Sequence, residues 1–290
     1  APATIKSYQQ TFKLLLQYKS DLKPNDLTEE TIILFFEFLN TRLRKVGNQQ
    51  VVRVYKNSSI ASVRGKLGTF FNWLVEINYI AVSPFQRMEY PDVSYTDPRA
   101  FTAKEFDKIC TAINTKIQWA NLFIKKRNIT IIMLLAFTGL RKEELIGLQL
   151  SDVDMERKVI TVRSSTTKSK RARTIPINNQ LIPYLIDYLS YRYKYKTDAF
   201  WVSGTLDRPL TEHGIKHLAN LITRVTKINC HWHRYRHTFA INFYNKTRDV
   251  LSLHRLMGHS SLKMTLSYLR SLPEDHFVNQ VKRISIDEFV

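Results

Sequence analysis

The chain has 290 residues, 44% of them apolar, which is enough to bury real cores in two ordinary domains. No uncharged apolar run reaches the length of about 18 that a membrane helix needs; the nearest, Ile129 to Leu140, is ended at once by Arg141 and Lys142, so no membrane partner is expected. Forty-four Lys and Arg against 25 Asp and Glu give a net charge of +19, far beyond what solubility asks for, which points to an extended polyanion as the partner.

The basic excess is shared along the chain. Residues 1–90 hold 12 Lys or Arg against 7 Asp or Glu, and the remainder 32 against 18, as suits a protein that grips its partner with two parts. The opening APATIKSY carries no signal-peptide pattern and no Met, which suggests processing or a removed N-terminal segment. Over the first 80 residues the apolar positions recur at helical spacing: Ile5, Tyr8, Phe12 and Leu15; Ile32, Phe35, Leu39 and Leu43; Leu67, Phe70, Phe71 and Leu74. Thr28 before Glu29 and Glu30 is a helix start. Residues 1–90 therefore read as a small helical bundle. Three prolines then fall between Ser83 and Thr102 with little periodicity, and Thr102 to Glu105 forms a capping box that opens a new helix. The domain boundary is placed here, with a linker over 91–101 and a second domain over 102–290. That domain stays helical apart from KVITVR (158–163) and RTIPI (173–177), two strand-like runs joined by a polar, basic loop. It ends in an amphipathic stretch with Phe277, Val278, Val281 and Ile284. The fold class expected is mainly α with a small β-hairpin, in two domains. Cys110 and Cys230 stand far apart in no metal or disulfide pattern, as in a reducing, intracellular compartment.

Four cationic places stand out in the second domain. In TGLRKEEL, Arg141 follows a glycine turn, and Glu144 is three residues on, where it shares a helix face with the arginine. The spacing fits a rigidly held cation and an ordinary surface ion pair equally well. In the hairpin loop TTKSKRAR, Lys168 and Lys170 are equal candidates on chemistry alone, and such loops are usually solvated. In HWHRYRHTFA, His233, Arg236 and His237 stand at i, i+3 and i+4 on one helix face. His233 and His237 have the spacing of a zinc pair, but the motif is HRYRH and not HExxH, and Arg236 beside them repels a cation; an anion site is the better reading. In LMGHSSLKMTLSYLR, a short helix after the His259 turn carries Tyr268, a residue that alone would be taken as structural.

Together these are two arginines, a lysine, histidines and a tyrosine, with no metal cluster, no phosphate-cradling glycine loop and no carboxylate pair. That inventory suits phosphodiester cleavage without a metal: a tyrosine hydroxyl attacks phosphorus, arginine forks hold the nonbridging oxygens, and a lysine or histidine protonates the departing oxygen. A phenol is a weak acid, so cationic neighbours are needed to favour its anion.

The residues TGLRKEEL, Lys168, HRYRHTFA and MGHSSLKMTLSYLR, in this order and with the nine-residue step from His259 to Tyr268, resemble the tyrosine recombinases, the phage-integrase and Xer-like family of site-specific DNA recombinases. The resemblance covers nearly the whole chain. It implies that 1–90 is a core-binding domain and that the part beyond the linker is catalytic. It implies Tyr268 as the nucleophile of a 3′-phosphotyrosyl link, Arg141 and Arg236 as ligands of the scissile phosphate, and Lys168 as the general acid. Lys168 is preferred over Lys170 because its distance to Ile175–Pro176 matches the family pattern. His233 and His259 would support phosphate binding and proton transfer, with Glu144 buttressing the first arginine and His237 in a supporting role. The resemblance also implies double-stranded DNA as partner, a homotetramer on the DNA synapse, accessory DNA-bending proteins, a cytoplasmic, nucleoid-associated location in a bacterium, and no cofactor. Integration or excision of a mobile element, or a related recombination, is the role expected. The tail from Leu272 to Val290 would dock on a neighbouring protomer or pack on its own domain. The rival readings are a topoisomerase that forms the same tyrosine link, a DNA-binding protein that has lost catalysis, and a metal-dependent nuclease, for which Asp249 alone supplies too few acidic ligands.

Overall fold

The computed structural model describes residues 2–23, 26–41, 43–46, 49–52, 55–88, 100–167, 171–204 and 206–269. The chain divides into two compact units, Ala1–Thr96 and Asp97–Val290. The expected linker lies almost wholly outside the described residues, as do Lys168, Lys170 and the tail beyond Leu269. No described helix is long and apolar enough to cross a membrane.

The first unit is built on α1 (Pro2–Tyr18), α2 (Glu29–Thr41) and α3 (Asn57–Glu76). The backbone N–H of Thr31 donates to the Thr28 hydroxyl at 3.2 Å, so Thr28 starts α2 as its sequence suggests. Ile32, Phe35, Leu39, Leu67, Phe71 and Leu74 are buried together, the same apolar positions that recur at helical spacing. One expectation fails. Leu43 is not the last position of the α2 stripe, because α2 ends at Thr41 and Leu43 opens β1 (Leu43–Val46), which pairs antiparallel with β2 (Gln49–Val52). The sequence carries a cause: Val46, Val51 and Val52 are β-branched, a class that favours strand over another helical turn.

The second unit opens with α4 (Ala103–Thr111), whose capping box is complete: Glu105 N–H donates to the Thr102 hydroxyl at 3.1 Å, and Thr102 N–H to the Glu105 carboxylate at 3.0 Å. A single π-helical turn, Ala112–Lys116, follows. Next comes α5 (Leu122–Thr138), whose second half is buried on all sides, with Ile131, Ile132, Leu134 and Leu135 fully buried. A helix of that kind belongs at the centre of a domain, and α7 (Ile182–Arg192) and α9 (Trp232–Thr247) pack against it. Between α6 (Lys142–Ile146) and α7 lies a three-stranded antiparallel sheet in the order β3 (Val153–Asp154), β4 (Val159–Val162), β5 (Arg173–Pro176). Ile160 pairs with Ile175, and the hairpin read from the sequence is β4 and β5, with β3 an addition. The remaining helices are α8 (Glu212–Thr226), α10 (Val250–Met257) and α11 (Leu262–Leu269). A small satellite core of Phe239, Ala240, Leu253 and Met257 joins α9 to α10, and Tyr268 and Leu269 of α11 pack against it.

Candidate active site

Two helix ends meet under the site. α5 stops at Gly139 and α10 at Gly258, each in the left-handed conformation with φ of 60°. Neither position has room for a side chain: a Cβ at Gly139 would stand 2.4 Å from the Phe239 ring, and one at Gly258 would stand 2.8 Å from Nη1 of Arg173. The last carbonyls of a helix lack intrahelical donors and carry its negative dipole end. Here arginines satisfy them. Arg236 donates from Nη1 to the Gly139 carbonyl (2.6 Å) and from Nη2 to that of Met257 (2.5 Å). Arg173 donates from Nε to the Leu256 carbonyl (2.7 Å), and Arg141 makes longer contacts of 3.3 Å to the carbonyls of Met257 and Gly258. A guanidinium held at several points on backbone is fixed in direction before any ligand arrives.

Glu144 is the carboxylate of this cluster. It accepts from the Arg141 backbone N–H (2.9 Å) at the start of α6, from Arg141 Nη1 (3.0 Å), and from Arg173 Nη1 and Nη2 (2.9 and 2.7 Å), with its own side chain fully buried. The pair of residues read as an arginine and its buttress is therefore a triad, and the surface ion-pair reading of Arg141 and Glu144 is set aside by that burial. Desolvation pushes the Glu144 carboxyl up, but the hydrogen bonds and charge of Arg173, then those of Arg141, outweigh it and hold the pKa down to about 2. Since the folded value lies below the ordinary 4.5, the stabilisation is fully present above pH 4.5 and is lost as pH falls toward 2; at about 1.4 kcal/mol per pKa unit it is on the order of 3 kcal/mol. Glu144→Gln is expected to be less stable than the parent by about that amount at pH 7 and to lose less further stability between pH 5 and pH 3, as urea melts at several pH values will show.

Arg236 is 1% exposed and His259 5%. Burial, then repulsion from Arg141, lowers the Arg236 pKa to about 10, which leaves it charged at neutral pH. Its Nε has no hydrogen-bond partner among the described residues, a buried N–H left over for an acceptor. Nη2 also meets His259 Nε2 at 2.9 Å. Burial, then the charges of Arg236 and Arg141, depresses the His259 pKa to about 3, so its ring is neutral.

The Tyr268 ring lies between two histidines. His259 stacks on it with centroids 5.3 Å apart, and His237 flanks it at 5.4 Å. Arg236 lies near enough to the same tyrosine for the two to interact electrostatically. Arg141, His233, Arg236, His259 and Tyr268 all line one cavity of about 310 Å³, together with Glu143, Gly258, Ser260 and Met264. His233 is exposed at the cavity wall, and His237 one turn later is buried behind Tyr268. Of the expected site residues, only Lys168 falls outside the described residues.

Sequence reasoning missed Arg173, and also Thr265, whose hydroxyl lies 2.8 Å from His259 Nδ1 and 3.1 Å from His254 Nδ1. Arg173 and Ile175 share one face of β5, and Ile175 is buried, so period-two alternation already aims Arg173 inward, where a carboxylate partner is required.

The model of the phage integrase family matches residues 99–275, more than half of the chain. The chain belongs to that family: it is a tyrosine recombinase, an enzyme that cleaves and rejoins DNA strands. It is 27% identical over 263 residues to the tyrosine recombinase XerC of Listeria innocua, covering 87% of this chain and 84% of that one. To XerC of Staphylococcus epidermidis it is 29% identical over 275 residues, covering 91% and 85%. Among solved structures it is similar to the Tn1549 transposon integrase in complex with transposon right end DNA, with a TM-score of 0.77 at 18% identity over 98% of this chain and 94% of that one.

Proposed function

We propose that this recombinase cuts double-stranded DNA at a defined site through Tyr268 and serves the integration or excision of a mobile element or a related rearrangement. The observation that carries the reading is the single cavity into which separate elements bring Arg141, His233, Arg236, His259 and Tyr268. In the first step the Tyr268 oxygen attacks phosphorus and passes its proton to a histidine of the cavity; a P–O bond forms to the tyrosine as the bond to the 5′ oxygen breaks. The guanidiniums of Arg141 and Arg236 hold the nonbridging oxygens as their charge grows. Lys168 supplies the proton that the departing 5′ oxygen takes, and His233 and His259 assist phosphate binding and proton transfer. Glu144 and His237 hold Arg141 and Tyr268 in place. The 3′-phosphotyrosyl link conserves the bond energy of the cleaved diester, so a 5′ hydroxyl rejoins the strand by the reverse steps with neither ATP nor a metal ion.

In this reading residues 1–90 form the core-binding domain and 102–290 the catalytic domain. Each duplex is clamped by both, four protomers assemble on the synapse inside a bacterial cell, and DNA-bending proteins assist. The test needs no knowledge of the site. Protein is incubated in EDTA with nicked genomic fragments and denatured, and the protein-linked DNA is captured and its ends sequenced. Adducts at 3′ ends clustered on one inverted repeat are expected. Scattered adducts would mean a topoisomerase, cleavage without adducts that needs a metal and stops in EDTA a metal-dependent nuclease, and tight binding with neither adducts nor cleavage a DNA-binding protein that has lost catalysis.

A further inference from the structure

Hydrogen-bond donors from two arginines converge on Glu144, and they fill it. Oε1 accepts from Arg173 Nη1 (2.9 Å) and from Arg141 Nη1 (3.0 Å), while Oε2 accepts from Arg173 Nη2 (2.7 Å) and from the Arg141 backbone N–H (2.9 Å). A carboxylate offers about four lone-pair sites, so none is left over. The two arginines share it unequally. Arg173 grips both oxygens with its terminal nitrogens, the fork geometry in which arginine and carboxylate bind best, whereas the Arg141 guanidinium reaches it with one prong. The other side-chain hydrogen bonds of Arg141 among the described residues, to the carbonyls of Met257 and Gly258, are all 3.3 Å long. Arg141 lines the cavity with Tyr268, and Arg173 does not. Arg173 is itself fixed at a third point, from Nε to the Leu256 carbonyl at 2.7 Å, and its guanidinium stands where a Cβ on Gly258 would intrude.

We propose that Arg173 is a positioning residue: it takes the two-pronged berth on Glu144 and so keeps the Arg141 guanidinium turned to the scissile phosphate. An arginine left alone with a buried carboxylate closes on it with both prongs, because the attraction is strong where water is excluded. Each prong that closes is lost to the substrate. Glu144 thus buttresses Arg141 only while a second arginine saturates it; unshared, the same carboxylate is a trap. The inference rests on the reading above in taking Arg141 as a phosphate ligand.

The test has two arms, both on the full chain. The first needs no DNA. In a crystal structure of Arg173→Met, Arg141 is expected to hold both Glu144 oxygens with its own guanidinium. Arg173→Lys, whose single ammonium cannot span the two oxygens, is expected to do the same and serves should the methionine variant fail to fold. The second arm times adduct formation under single-turnover conditions, well below each melting point, on the inverted repeat that adduct capture defines. The scissile group is either the natural phosphate or a methylphosphonate, in which a methyl replaces one charged oxygen. Because a neutral phosphonate asks less of Arg141, Arg173→Met is expected to be about 10- to 100-fold slower than the parent on the phosphate and within about 3-fold of it on the phosphonate. A merely structural role would slow both substrates alike. An Arg141 that keeps a single prong on Glu144 in the variants would overturn the proposal, as would equal deficits on the two substrates or a methionine variant at the parent rate. Failure of the broader reading shows separately, as an Arg141→Ala variant whose own deficit is the same on phosphate and phosphonate.

Discussion

Tyr268→Phe is expected to bind DNA as tightly as the parent and to form no covalent adduct at all. The substitution removes one oxygen and keeps the ring, and it is the ring that packs between His237 and His259 and against the α9–α10 core. DNA affinity arises mainly from phosphate contacts spread over a protein of net charge +19, which one hydroxyl does not alter. Gel-shift affinities side by side with adduct capture on a nicked substrate check both halves. An adduct that survives in the phenylalanine variant would show that another nucleophile does the work.

Arg236→Ala is expected to slow adduct formation by at least about 100-fold, the scale seen when one charge-stabilising donor is removed from an active site. Arg236→Lys is expected to recover little of this. The guanidinium reaches the carbonyls of Gly139 and Met257 and the ring of His259 at once, and a single ammonium cannot span three such partners. Because the side chain is buried, the alanine variant also strands two carbonyls and loses some stability, so rates are compared at a temperature well below its melting point. Arg141→Ala, whose guanidinium is more exposed, is expected to lose similar activity with a smaller change in melting. A lysine variant at the parent rate would show that Arg236 acts as a bulk charge and not as a shaped fork.

Much of this arrangement is legible in the sequence where local rules decide it. The capping box at Thr102, the glycine stop before Arg141 and the short helix carrying Tyr268 each follow from a few neighbouring residues. The β1–β2 hairpin is missed because apolar spacing carries Leu43 into the α2 stripe, whereas the β-branched Val46, Val51 and Val52 favour strand. Arg173 is a different kind of omission. Its inward register is visible from Ile175, but its partner Glu144 is 29 residues away and its third contact, the Leu256 carbonyl, is 83 away. Thr265 and His254 likewise become partners only when α10 turns back at Gly258 onto α11. No periodicity within one element records contacts of that range.

The meeting of two helix ends at Gly139 and Gly258 sets an electrical balance for the reaction. Arg141, Arg173 and Arg236 bring three positive charges; Glu144 returns one, and two helix C-termini, at roughly half a charge each, return about one more. With His259 neutral, the resting cluster carries roughly one net positive charge. A phosphodiester brings one negative charge, so the bound substrate is met close to neutrality. The pentavalent state on the way to cleavage carries nearer to two, and the cluster has nothing further to give. On the proposed mechanism the missing unit would come from a proton donor outside the cluster, the part proposed for Lys168, which would then serve the growing charge as well as the leaving oxygen.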